Sequence, residues 1–277
     1  MLLFTLGKSQ ALYERLLRAV IDACDNIGVS ADPTTVICDF ESAVINAVKA
    51  TLGAHVAVKG CFFHLCQSTW RKVQDLGLVQ AYKTNDNVRK FVNMIDALAY
   101  LPESEVPAGM RFLQQNVPDC ADADLLRELL TYFDATYVSG AVRRVQRPTD
   151  ASAAIPRLVL RRLPPLFPPS LWNVYDATLA GTDRTNNLCE AWNRAFGSLV
   201  GHPHPSFWVA VEALQQDAAT ETTTLLQSAR GQPPAKRVKR STVRLQQQLQ
   251  TICGELRDGR QSVAQALSAL SHTIVFQ

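Results

Sequence analysis

From Ser9 to Asn26, apolar side chains recur at Leu12, Leu16, Ala19, Val20 and Ala23, a helical spacing that begins behind a fair N-cap, Ser9. The apolar residues 2–6 before it read as a short strand. Gly28 and Pro33 bracket a loop. Thr34–Cys38 (TTVIC) is then a β-branched, continuously apolar run of the kind a buried parallel strand shows, and it ends on Asp39. A helix follows through Ala43, Val44, Ala47, Val48 and Leu52. His55–Val58 makes another short strand, closed by Gly60. Up to Gly60 the chain reads strand, helix, strand, helix, strand, an α/β layer with a mainly parallel sheet.

After Cys61 the periodicity changes. Leu65–Leu76, Asn87–Leu101, Pro107–Asn116 and Asp122–Thr136 all carry helical spacing, with no convincing strand between them. Residues 140–170 read as irregular, with arginines 143, 144, 147, 157, 161 and 162 set among prolines. A helix over about Thr185–Leu199, the segment HPHPSFW and a further helix to about Ala229 come next. In the tail, Leu249, Leu256, Val263 and Leu270 fall at strict seven-residue spacing, an amphipathic helix or short coiled coil interrupted at Gly254 and Gly259. The expected organisation is a partial α/β core over 1–64, a helical insertion over 65–180, two helices over 181–229, a basic linker over 230–244 and a C-terminal amphipathic helix over 245–277.

Composition changes this picture little. Apolar residues make up 47% of the 277 and charged ones 19%, enough for a sizeable core. No apolar run approaches the ~20 residues that span a bilayer. Seven scattered cysteines without a secretory leader suggest reduced thiols in the cytosol or nucleus. The net charge of +3 hides an asymmetry: Arg230, Lys236, Arg237, Lys239, Arg240 and Arg244 lie in a stretch with no acidic residue, so the rest of the chain is net negative.

Three places carry candidate chemistry. Asp39, at the carboxyl end of a buried parallel strand, stands where open α/β sheets put ligand and metal groups, and it is also well placed to cap the next helix. Cys61 and His64 form a C-x-x-H pair where strand turns to helix, a spacing that suits two ligands of one Zn²⁺ or simply a buried thiol beside a surface histidine. Glu190 lies off the apolar stripe Leu188, Trp192, Ala195 and Leu199 that would pack on the sheet. It is either an exposed partner of Arg194 or a metal carboxylate delivered by a helix.

Taken in order, V-I-C-D-F-E, G-C-x-F-H-x-x-Q, L-W-N-x-Y and R-T-N-N-x-x-E closely resemble the transposase domain of Mutator-like elements (MULE), from about Leu2 to Phe207. The resemblance implies an incomplete RNase H-like core with a large all-helical insertion, and cut-and-paste DNA transposition by metal-dependent phosphoryl transfer. It implies that Asp39 is the second and Glu190 the final acid of a D-D-E triad holding Mg²⁺ or Mn²⁺, with Cys61 and His64 as the family's C-x-x-H motif. Such in-line displacement uses two divalent ions about 3.5–4 Å apart, held by carboxylates from separate elements. It also implies DNA as the partner: transposon ends and target.

The sequence departs from the family in two respects. No Asp or Glu precedes Glu14, so the strand bearing the first acid is expected to be missing and the chain catalytically incomplete. Asn193 stands where relatives often carry His. The cluster Lys236, Arg237, Lys239 and Arg240, flanked by prolines, resembles a short nuclear import signal, so a nuclear location is expected, as is self-association through the C-terminal helix, and no membrane. Two readings follow: a transposase fragment, or a non-catalytic nuclear protein of transposon origin that binds DNA or proteins through the Arg-rich segment and the C-terminal helix.

Overall fold

The computed structural model describes residues 7–146, 158–231 and 239–274. The expected strand at 2–6 lies outside these, as do Lys236 and Arg237 of the basic linker. Helix α1 (Gln10–Asp25) begins at Ser9, whose side chain accepts the Leu12 amide. Strands β1 (Thr35–Cys38) and β2 (Ala57–Gly60) run parallel, Cys38 opposite Gly60, and are joined by α2 (Ser42–Leu52). β2 starts two residues later than hydropathy suggested. His55 stays outside, its Nε2 2.6 Å from Asp32 Oδ1, while Val58 and Gly60 turn inward. Gly60 is there because Phe40 leaves no room: a Cβ at that position would come within 2.6 Å of the Phe40 ring.

Helices α3 (Phe62–Asp75), α4 (Val79–Thr84), α5 (Asp86–Ala97), α6 (Val106–Gln115) and α7 (Ala123–Phe133) form the expected helical block. Leu65, Val73, Ile95, Leu98, Leu113, Leu126, Leu129 and Phe133 are wholly buried, each side chain worth roughly 1.5–3 kcal/mol of removal from water. The block is not all-helical. The stretch expected to be irregular holds two antiparallel strands, β3 (Val142–Gln146) and β4 (Leu158–Arg162). V-R-R-V-Q and L-V-L-R-R do not alternate apolar with polar, so the period-2 signal is absent from them. Two short helices, α8 (Pro169–Trp172) and α9 (Tyr175–Ala180), precede α10 (Asn187–Val200) and α11 (Phe207–Ala229).

The tail is two helices, α12 (Arg240–Arg257) and α13 (Val263–Thr273). The break falls at Gly259, which takes φ 69°, while Gly254 lies inside α12. A capping box between Ser262 and Gln265 restarts the chain. Leu249, Cys253, Ala266, Leu267 and Leu270 are buried and α13 packs on α5 and α6, so much of the apolar stripe is covered by the chain's own helices.

The chain forms two compact units. One comprises α1, α10 and α11. The other runs from Asp32 to Thr185 and resumes at Arg244. The first unit has little interior: among its described residues only Ala213 is buried. The second contains both small sheets and nearly all of the core. The protein is a mixed α/β chain, mostly helical, whose described strands lie in two two-stranded sheets.

Candidate functional site

Asp39 follows directly on β1, at the carboxyl end of the strand. The backbone fixes it on one side, where the Cys61 amide donates to the Cys38 carbonyl at 2.8 Å. Phe40 fixes it on the other, its ring edge-on to Tyr137 at 5.8 Å and to Phe167 at 5.1 Å. The Asp39 carbonyl accepts the Glu41 amide at 2.8 Å, a tight turn into α2. The residue at the N-cap of α2 is therefore Glu41 rather than Asp39.

His64 stands in the first turn of α3, one quarter exposed (25%), with its Nδ1 3.0 Å from Oδ1 of Asp39, whose side chain is 54% exposed. At that distance the two form an ion pair when the ring is protonated, yet the enclosed nitrogen is not aligned for a hydrogen bond. A carboxylate oxygen beside an imidazole nitrogen is a donor pair that Mn²⁺ and Zn²⁺ accept in kind, and of which Mg²⁺ takes the oxygen.

Cys61 has a different environment. It is wholly buried at the N-cap of α3. Burial pushes the neighbouring Cys38 thiol up to about 11, with the charges of Asp39 and Cys61 adding to the effect. Burial likewise drives Cys66 well up, reinforced by Asp96 and by Cys61. Cys38 and Cys66 stay protonated at neutral pH, whereas a metal ligand is a thiolate. Among the described residues no group of three His, Cys, Asp or Glu side chains is gathered to hold an ion.

Glu190 lies in the first turn of α10, half-buried, where a carboxylate is favoured by the helix dipole. Arg194 approaches its carbonyl through Nε at 3.4 Å rather than its carboxylate. Trp192 donates to Asp217 of α11 at 2.8 Å and stacks on Phe196 at 5.1 Å, and Trp192, Ala195 and Leu199 are exposed. Asn193 is exposed too. Lys239 and Arg240 are exposed where α12 begins.

The other motifs have definite structural work. Trp172 is wholly buried and its indole N–H is shared between the carbonyls of Tyr137 and Phe167, both at 3.0 Å. Asn173 donates to Leu101 O at 2.7 Å and accepts the Tyr175 amide at 3.0 Å. Arg184, which opens R-T-N-N, accepts the Phe62 amide on its carbonyl at 3.0 Å. Its guanidinium lies 5.6 Å from the Tyr100 ring centre and donates to Thr178 at 3.2 Å. The start of the last motif is thereby tied to the start of α3, beside His64 in sequence. A separate cleft of about 340 Å³, lined in part by Asn46, Lys49, Lys59 and Phe167, includes neither Asp39 nor His64.

Two features had no signal in the periodicity. The buried carboxyl of Asp96 looks in sequence like any polar residue of a helix, and the arginines of β3 and β4 become a surface only once the strands pair. No protein-family model, curated protein or solved structure matches the chain.

Proposed function

We propose that this chain is the C-terminal part of a MULE-type DNA transposase, built on an incomplete RNase H-like core, with Asp39 and Glu190 as two of its three metal-binding carboxylates. The observation that carries the reading is the convergence of three motifs distant in sequence. Asp39 meets His64 at 3.0 Å, and the α3 that carries His64 is bonded at Phe62 to Arg184. His64 orients the Asp39 carboxylate, and Cys61 secures the turn from the core side. Asp39 and Glu190 would hold Mg²⁺ or Mn²⁺, which would supply charge stabilisation to an in-line phosphoryl transfer. Zn²⁺ at Cys61 and His64 is the weaker proposal, since Cys61 is wholly buried.

The test is a Mn²⁺ titration of the folded chain by calorimetry. Asp39→Ala weakens binding at least tenfold and Glu190→Ala weakens it further in combination. Binding indifferent to both substitutions refutes the metal assignment.

A second reading, a non-catalytic nuclear protein of transposon origin that binds DNA or proteins through the Arg-rich segment and the C-terminal helix, is favoured by the exposure of Arg143, Arg144 and Arg161. The basic cluster Lys236, Arg237, Lys239 and Arg240 supports nuclear import under either reading.

A further inference from the structure

We propose that the β3–β4 ribbon is a contact surface for duplex DNA, acting through Arg143, Arg144 and Arg161. The inference rests on the DNA partner proposed above and assigns that partner to named residues.

The register sets Arg143 opposite Arg161, and Arg144 opposite Leu160. Residues directly opposite on an antiparallel pair share a face, with Cβ atoms about 4.5–5.5 Å apart, and like charges in that position are destabilising. The chain thus holds two guanidinium groups side by side on a two-stranded ribbon, itself a marginal element in water. All three arginines are exposed. Among the described residues only the fourth, Arg162, meets a carboxylate, Asp134 Oδ2 at 3.8 Å. A polyanion laid against the ribbon removes a repulsion that the fold leaves in place.

The root of the ribbon is rigid. The Leu163 amide donates to Ala141 O at 2.9 Å, and Arg162 Nη1 donates to Gly140 O at 3.4 Å. Gly140 takes φ 82°, and a Cβ there would lie 1.8 Å from the Leu163 carbonyl oxygen. The Phe167 amide then bonds to Thr136 O at 3.1 Å, and the Phe167 ring stacks on Tyr137 at 5.9 Å. The arginines are therefore presented from a root built into the core.

Duplex DNA suits this shape better than an acidic protein surface. Two strands about 4.8 Å apart enter a major groove about 12 Å wide, with phosphates on both sides. Arg143 and Arg161 lie on one face of the ribbon and Arg144 on the other. A ribbon set into the groove can neutralise both faces, whereas a flat acidic patch covers one. Leu160, 73% exposed beside Arg144, offers the apolar contact that a thymine methyl accepts.

The experiment is fluorescence anisotropy of a labelled 30-base-pair duplex with the full 277-residue chain, over a series of KCl concentrations. The triple variant Arg143→Ala/Arg144→Ala/Arg161→Ala should bind on the order of 30-fold more weakly at 100 mM KCl. Its slope of log Kobs against log[KCl] should be shallower by about 2.7, three phosphate contacts fewer. The triple Arg→Lys variant keeps most of the slope, which separates lost charge from lost folding. A wild-type slope in the triple Ala variant overturns the proposal. So does a slope carried wholly by Lys236, Arg237, Lys239 and Arg240, or an absence of wild-type binding at 50 mM KCl. Polyglutamate competing as well as duplex per unit charge also overturns it, in favour of an acidic protein partner. The Mn²⁺ titration on the same variants stays unchanged, so failure of the ribbon and failure of the metal site are read separately.

Discussion

The hydroxyl of Thr69 donates a 2.7 Å hydrogen bond to the carboxylate of Asp96 inside the helical block. Burial raises the Asp96 carboxyl from 3.8 to about 7, against the pull of the bonds from Thr69 and Cys66. The unfolded chain ionises Asp96 near the ordinary value, while the folded chain holds its proton. Between about pH 4 and pH 7 the unfolded state therefore binds fewer protons, and stability falls as pH rises, levelling off above pH 7. The change amounts to a few kcal/mol. Urea unfolding at pH 5 and pH 8 checks it: Asp96→Asn should flatten the difference, and an equal slope in both proteins removes Asp96 as its source.

Gly140→Ala forces a Cβ against the Leu163 carbonyl in a left-handed backbone conformation. We expect a loss of roughly 1–3 kcal/mol in thermal unfolding, with DNA affinity reduced through displacement of the ribbon. Full stability in this variant would mean that the root of the ribbon yields easily.

Trp172→Phe keeps an aromatic ring but removes the N–H that Tyr137 O and Phe167 O share. The two carbonyls lose their donor inside the core, so the cost is about 1–3 kcal/mol, and Trp172→Ala costs about 3–5 kcal/mol. Equal stability of wild type and the Phe variant would show that other donors reach these carbonyls.

On the proposed reading, we expect the 277 residues by themselves neither to nick nor to join supercoiled plasmid in Mg²⁺ or Mn²⁺. If Asp39 and Glu190 are two metal carboxylates, a third is needed to compensate the charge at both reacting oxygens, and doing without it would cost several kcal/mol in the barrier. Nicking by the wild type that both Asp39→Ala and Glu190→Ala abolish is the result that contradicts this.

Most helices were readable because their cause is local. Ser9 caps α1, and the i, i+3, i+4 stripes of α3, α5, α6 and α7 each bury one face, so period and packing agree. β1 was readable from its β-branched run, although only Cys38 of it is buried rather than the whole strand. β2 was misplaced by two residues because His55 is held outside by a hydrogen-bond contact with Asp32 and the strand's end is set by the Phe40 ring, both tertiary. The β3–β4 ribbon was illegible because adjacent arginines erase alternation, and its pairing is set from the root at Gly140 and Leu163. At the candidate site, the types and order of Asp39, Cys61, His64 and Glu190 stood out in the sequence. Which of them meet did not: His64 turns to Asp39 while Cys61 is buried, a division that C-x-x-H spacing leaves open.

The scarcity of buried side chains in α1, α10 and α11 sets how this protein opens. With only Ala213 enclosed among their described residues, and with Phe207, Trp208, Leu225 and Leu226 exposed, these helices have little apolar burial to lose when they unwind. Their amides should exchange with deuterium by local fraying, orders of magnitude faster than those of α5, α7 and α13, whose exchange should follow global unfolding. Glu190 sits on the fast side of that divide and Asp39 borders the slow side. A ligand that engages Glu190 should register as slowed exchange along α10.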